Sequence, residues 1–312
     1  LKLGFIIPNH PSERRVALLP EDIIDFENEL FIQRGFGETL GIEDEEYEKK
    51  GCTILSKEDI FSTCDGIFSL KNLKEDDYDL IKNDQIIIGW THPYGSGRDF
   101  MKDIAIPKDL LVVDLDNIHP AVFYKNHELP LNWVPKNFIY ENSFIAGYAS
   151  TIHGLMSHGL IPNNNTNVAV LGSGNASQGA YKAISMFNVN LRMFYRKTMD
   201  EFYDNINDFH VIINGIEIEP GTNPIISNED KNKLKKGSLI IDAAACAGRT
   251  IEGSKHTSYE EPLYIEEGVY YYAINNSPSI FYRESSKFIS KSFSKYIYSK
   301  DLNVYKEMCI DL

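Results

Sequence analysis

The segment Val168-Ala169-Val170-Leu171-Gly172-Ser173-Gly174-Asn175-Ala176-Ser177-Gln178-Gly179-Ala180 constrains this chain more than any other. Its apolar start reads as a buried strand, the two glycines as a tight turn, and the small residues that follow as the first turns of a helix. A strand passing through such a turn into a helix gathers free main-chain N–H groups and the positive end of the helix dipole at one point, which suits a phosphate. In this GxGxxS pattern Gly172 permits the turn and Gly174 lets the main chain approach a pyrophosphate. Ser177, in the place of a third glycine, is small enough for the helix to pack on the strand. Gly172, Ser173, Gly174, Asn175, Ala176 and Ser177 are therefore the expected cradle of a dinucleotide. The alternative is an ordinary strand-to-helix turn, which the order of strand, glycines and helix disfavours.

The tip of the next strand bears on which dinucleotide. An acid about 20 residues beyond the first glycine would bond a ribose 2′-hydroxyl. No acid stands there, and residues 191–195 run instead into Arg196-Lys197-Thr198. Arg196 can fork onto a 2′-phosphate, Lys197 adds a point charge and the Thr198 hydroxyl can donate, so the expected cofactor is NADPH. A solvated basic turn is the alternative. The chain as a whole is acidic, with 45 Asp and Glu against 31 Lys and Arg and a net charge of −14, which excludes nucleic acid or an anionic membrane as the main partner.

Cys52, Cys64, Cys246 and Cys309 form no CxxC or short Cys/His spacing, and His153 and His158 lie five apart, off a shared helix face. No metal and no disulfide framework is expected. The opening LKLGFIIPNHPSERR has too short an apolar run for a signal peptide or an anchor. The expected location is the reducing cytoplasm, with no membrane partner.

Short apolar runs at 2–7, 66–70, 85–90 and 110–113, and again at 167–171, 191–195, 211–214 and 238–242, alternate with charged helical text. This is the rhythm of βαβ units. Pro120, Pro130 and Pro135 mark an irregular stretch before a long helix expected over 143–158, and a last helix is expected near 285–298. The predicted fold class is α/β, with two Rossmann-like, doubly wound domains and a cleft between them. Residues 1–130 together with 278–312 would form a substrate domain, and residues 131–277 the NADP-binding domain.

Ligands of doubly wound sheets sit beyond the carboxyl ends of the strands. Arg15 follows the first strand through a loop, Lys71 follows 66–70 and His92 follows 85–90. Two cations and an imidazole at one edge suit a small carboxylate whose carbonyl or imine is to be protonated. Taken singly, each also fits a surface cation or a structural histidine. Arg15 is preferred to Arg14 because it opens RVALLP and would be held beside the core. Asp114 or Asp116 could accept an ammonium, though a capping role fits them equally.

The RVA motif with Arg15, the strand-end Lys71 and His92 and the later glycine turn resemble the alanine dehydrogenase and saccharopine dehydrogenase family over nearly the whole chain. PNHP, RVALLP, GFGETLGI, IIGWTHP, VDLDNIHP, AGYAST, GSGNASQGA, MFYRKT and NNSPSIFYR resemble a narrower branch of it. That resemblance implies NADPH-dependent reductive condensation of pyruvate with the side-chain amine of ornithine, or of lysine, in a bacterial cytoplasmic homotetramer. It implies that Arg15 and Lys71 grip the keto-acid carboxylate, with His92, assisted by Lys71, as the acid/base. Where alanine dehydrogenases carry an aspartate in a segment like 241–248, this chain has Cys246. Asp242, four residues earlier, is not a simple substitute, which argues against ammonia as the amine. Cys246 is expected to pack rather than react. Two alternatives stay open: alanine dehydrogenase itself, and a non-catalytic nucleotide-sensing module similar to the soluble NAD-binding part of a transhydrogenase.

Overall fold

The computed structural model describes residues 1–219, 221–310 and 312. The alternation of apolar and charged text resolves into two units, Leu1–Ile139 with Tyr282–Leu312, and Tyr140–Phe281. Both boundaries fall later than 130 and 277. Beyond Pro130, the residues Leu131, Val134, Phe138 and Ile139 are buried in the core of the first unit. At the other crossing, the Ser277 hydroxyl donates to the Ala146 carbonyl at 3.2 Å and Phe281 meets Tyr148 edge-on at 5.6 Å, which keeps 277–281 with the second unit.

In the first unit the runs become β1 (Lys2–Ile6), β2 (Glu29–Gln33), β3 (Thr53–Leu55), β4 (Gly66–Ser69), β5 (Ile86–Gly89), β6 (Leu111–Asp114), β7 (Ala121–Tyr124) and β8 (His127–Pro130). Among the described residues they form one sheet in the order β3-β2-β1-β4-β5-β6-β7-β8, parallel up to β6 and closed by two antiparallel strands. Strands β4, β5 and β6 are buried throughout because both faces are covered. Successive residues alternate between two cores: Ile86, Ile88, Leu111 and Val113 face one, Ile87 and Val112 the other. Strand order reverses between β1 and β4, the place where a doubly wound sheet opens a crevice.

Residues 15–19, in the irregular segment after β1, are buried, so their main-chain groups need partners. The helix Tyr282–Phe293 supplies them: Ser286 and Ser290 hydroxyls accept from the N–H groups of Val16 and Leu19, both at 2.8 Å. Tyr47 and Tyr298 donate to the carbonyls of Leu18 and Ala17, at 2.8 and 3.1 Å. The C-terminal helix ends at Phe293, and Ser294–Tyr298 continues it as a π turn.

The second unit contains β9 (Asn167–Leu171), β10 (Asn190–Phe194), β11 (Val211–Asn214), β12 (Leu239–Asp242), β13 (Tyr264–Glu266) and β14 (Val269–Tyr272). Its order is β10-β9-β11-β12-β14-β13, parallel except for β13, with the reversal between β9 and β11. The long helix spans Tyr140–His158 and packs on Asn175–Ser185 at backbone distance. A Cβ on Gly147 would stand 1.8 Å from the Ala176 carbonyl oxygen, and one on Gly179 1.8 Å from that of Phe144. Among the described residues no helix is long and apolar enough to cross a membrane.

Candidate functional site

At the carboxyl edge of the first sheet, the loop after β1 turns Arg15 back onto Glu13. The guanidinium donates through Nε to Oε1 at 2.8 Å and through Nη2 to Oε2 at 2.6 Å, and the Arg15 N–H adds a bond of 2.9 Å to Oε1. The two side chains are 1% and 0% exposed. Lys71, which follows β4, brings its Nζ to 3.8 Å from Glu13 Oε2. Both cations lie over the Trp90 ring, at 4.8 Å for Arg15 and 5.6 Å for Lys71. The structure thus unites Arg15 and Lys71, but around an anion that the sequence reading missed. The available signal was physical: an arginine set beside a core must bring a carboxylate, and SER-R places one two residues before it.

The electrostatics follow from this packing. Burial opposes ionisation of Glu13, but the Arg15 charge and hydrogen bonds, joined by Lys71, outweigh it and hold the carboxyl down at about 2. Burial and the nearby Arg15 push Lys71 down to about 8, with Glu13 pulling the other way. Two cations and one anion leave one positive charge, and Lys71 can release its proton close to neutral pH. That excess suits one carboxylate. The fork of Arg15, however, is closed on Glu13, so the amine of Lys71, whose side chain is 18% exposed, is the more open of the two cations.

His92 stands exposed beyond β5. Gly89 ends that strand at φ +156°, where a Cβ would lie 1.8 Å from the Ser69 carbonyl oxygen, so only glycine fits this close to β4. His92 itself has φ +45°, a conformation that costs most side chains free energy. Buried Asp114, at the end of β6, accepts on Oδ1 from the N–H groups of Thr91 and His92 at 2.7 and 3.0 Å and from the Thr91 hydroxyl at 3.0 Å. Burial raises its carboxyl pKa against the pull of His92 and these bonds. Asp116 accepts from the N–H groups of Ile118 and His119 at 2.8 and 2.7 Å. Both acids weighed as ammonium acceptors thus cap main chain through Oδ1.

In the second unit, Gly172 has φ +95°, and a Cβ there would stand 2.7 Å from both Ile216 Cγ1 and Ser177 Oγ. Its N–H donates to the Phe194 carbonyl at 2.7 Å, tying the turn to the end of β10. Gly174 caps the helix Asn175–Ser185 without a side-chain bond. A Cβ on Gly174 would meet nothing within 4 Å, so the space above the helix start is open to a ligand. Ser173 and Gly174 are exposed and Asn175 and Ala176 half-buried, but Ser177 is fully buried and its hydroxyl donates to the Leu171 carbonyl at 2.9 Å. Ser177 joins helix to strand rather than facing a ligand. Arg196 and Lys197 are exposed at the end of β10, beside the glycine turn. The Thr198 hydroxyl bonds both the N–H and the carbonyl of Tyr195 at 3.1 Å, so it closes the turn. A pyrophosphate at Gly172–Ala176 with a 2′-phosphate near Arg196 and Lys197 fits these surroundings.

At the ends of β11 and β12, Asn214 donates to Asp242 Oδ1 at 2.9 Å. Burial pushes the Asp242 carboxyl up. Burial, with Glu217 and Asp242 nearby, pushes the Cys246 thiol up to about 12, and the thiol donates to the Ala244 carbonyl at 3.4 Å. A buried thiol so placed fits a packing role.

These two strand edges define a two-unit α/β oxidoreductase dependent on a nicotinamide dinucleotide, and the chain belongs to the alanine dehydrogenase/PNT family. The model of that family's N-terminal domain matches residues 8–121 and that of its C-terminal domain residues 181–311. Within the family, the chain is 58% identical to the N(5)-(carboxyethyl)ornithine synthase of Clostridium botulinum, over 100% of this chain and 98% of the relative. It is 49% identical to the protein of that name from Lactococcus lactis, over 98% of each. A solved L-alanine dehydrogenase superposes with a TM-score of 0.78 at 18% identity, covering 96% of this chain and 89% of the other, which establishes the shared fold.

Proposed function

We propose that the chain condenses pyruvate with the side-chain amine of ornithine, or of lysine, and reduces the product with NADPH to an N-(1-carboxyethyl) amino acid. The observation that carries this reading is the half-buried Lys71 amine beside the Arg15–Glu13 pair, a cluster with one surplus positive charge, in a chain 58% identical to a synthase of that name. The pyruvate carboxylate pairs with Lys71, and Arg15, locked by Glu13, supplies charge from beneath. The neutral amine attacks the keto carbon, the carbonyl oxygen leaves as water, and an imine remains. His92 delivers and removes the protons of these steps, and Lys71 can exchange one more. The surplus positive charge favours the electron-poor imine carbon as hydride acceptor. NADPH supplies that hydride when bound, with Gly172–Ala176 holding the pyrophosphate and Arg196 and Lys197 the 2′-phosphate. We place the enzyme in the cytoplasm as a homotetramer.

The test is NADPH oxidation with pyruvate plus ornithine, lysine, ammonia or no amine, with NADH as control and the mass of each product measured. Oxidation with a diamino acid that yields a secondary amine is the expected result. Oxidation with ammonia to alanine would make the protein an alanine dehydrogenase instead.

A further inference from the structure

The turn that carries His92 is held more completely than a strand end requires. Every main-chain polar group from the Trp90 carbonyl to the His92 carbonyl has a partner, and the partners come from three directions. Asp114 takes the N–H groups of Thr91 and His92. The His92 carbonyl accepts from the N–H groups of Gly95 and Gly97, at 2.9 and 3.0 Å. The remaining carbonyls belong to Asn72: with its nitrogen turned toward them, the amide donates to the Trp90 and Thr91 oxygens at 3.0 and 2.7 Å, and its oxygen accepts from the Ser96 hydroxyl at 2.9 Å.

Asn72 directly follows Lys71, whose own carbonyl accepts from the Ser69 hydroxyl at 2.7 Å. The half-buried amide therefore spans the ends of β4 and β5, joining the loop that carries the amine to the turn that carries the imidazole. On the other side, register pairs Gly89 with Asp114 and Ser69 with Gly89, so the three strand ends stand in a row. A histidine in the left-handed region keeps that conformation only where its surroundings over-determine it, and here an acceptor on one side and a donor on the other do so.

We propose that Asp114 and Asn72 are positioning residues for the reaction, a two-sided clamp that fixes the His92 imidazole relative to Lys71. Neither side chain has to touch substrate to act: Asp114 works through Oδ1 on the Thr91 and His92 N–H groups and Asn72 through its amide nitrogen on two carbonyls. The consequence is kinetic. Loosening either side lets the imidazole leave its productive placement while the substrate pocket and the nucleotide cradle stay intact.

The inference rests on His92 being the proton shuttle, so the experiment contains a control for that. Steady-state rates with pyruvate, diamino acid and NADPH are compared for the full chain and for Asp114→Ala, Asn72→Ala and His92→Ala. NADPH affinity and Tm are measured alongside, and the residual rates of His92→Ala/Asp114→Ala and His92→Ala/Asn72→Ala are followed by product mass over long incubations. Asp114→Ala and Asn72→Ala should each lower kcat about tenfold or more with KM and NADPH affinity within threefold, and Asp114→Asn, which keeps an acceptor oxygen, should restore part of the rate. Neither alanine variant should slow the His92→Ala enzyme further, because a clamp has nothing left to position. If Asp114→Ala fails to fold, the half-buried Asn72 decides alone. Rates within twofold of the parent for both variants, beside a disabled His92→Ala, would overturn the clamp. So would losses that multiply on the His92→Ala background. Full activity of His92→Ala would instead remove the shuttle on which the clamp depends.

Discussion

The two strand edges are built by opposite means. In the first unit the site is built from side chains: buried Glu13 and Arg15, Lys71 above them and His92 on a clamped turn. In the second it is built from main chain: a glycine turn, an uncapped helix start and two exposed cations beside them. Side-chain charge in a dry setting is strong and intolerant, because removing one member strands the others. Main-chain N–H groups survive side-chain substitution, and exposed cations adjust preference more than they sustain structure. Substitutions in the first edge should therefore cost stability and turnover, whereas those in the second should redirect cofactor choice.

The largest effect is expected from Glu13→Gln, which leaves the Arg15 guanidinium buried without its counter-charge. The loss should be about 3–5 kcal/mol in urea unfolding, with turnover lost as well. The same carboxylate sets an acid limit. Its folded value near 2 lies below the ordinary 4.5, so its stabilisation is complete above about 4.5 and drains away as pH falls toward 2. That acid transition should vanish in Glu13→Gln. A loss under about 1 kcal/mol with unchanged acid unfolding would mean the first edge is as tolerant as the second.

Next comes Arg196→Asp. NADPH affinity should fall tenfold or more while NADH use rises and Tm stays within a few degrees. Unchanged selectivity would detach the basic turn from cofactor choice. A smaller effect belongs to Lys71. Because its amine deprotonates near 8, kcat/KM for pyruvate should fall as pH rises through that value, when the pocket passes from one surplus positive charge to none. A profile flat to pH 10 would leave carboxylate binding elsewhere. The smallest is Ser177→Ala, which removes one buried hydroxyl bond to Leu171 and should cost about 1 kcal/mol with NADPH affinity unchanged. A large loss of affinity there would turn Ser177 back into a ligand.

The contrast also sets what could be read beforehand. The glycine turn is contiguous and the basic turn follows one strand later, so the strand, turn and helix of the second edge were legible from text alone. Even there the inward turn of Ser177 and the closed hydroxyl of Thr198 were hidden, because pattern gives a position and not the direction of a side chain. The first edge is assembled from three loops far apart in sequence. Strand ends located Arg15, Lys71 and His92, but Glu13 is one of 45 acids and only the fold selects it. Asp114 was noticed for its charge, yet its use is decided by two N–H groups one strand away. The boundary near 139 was hidden by prolines that made a buried stretch look like a linker.

The Val16 and Leu19 amides find their partners 270 and 271 residues later. On the ribosome, the whole second unit is synthesised before Ser286 and Ser290 are made. The stretch that positions Arg15 must wait, unfastened, until those two serines have been added. A nascent chain stopped short of residue 282 would carry a finished glycine turn and an unfinished anion pocket. Binding of nucleotide can therefore precede competence for chemistry in the life of each molecule, because the segment that completes the first unit is translated after the second.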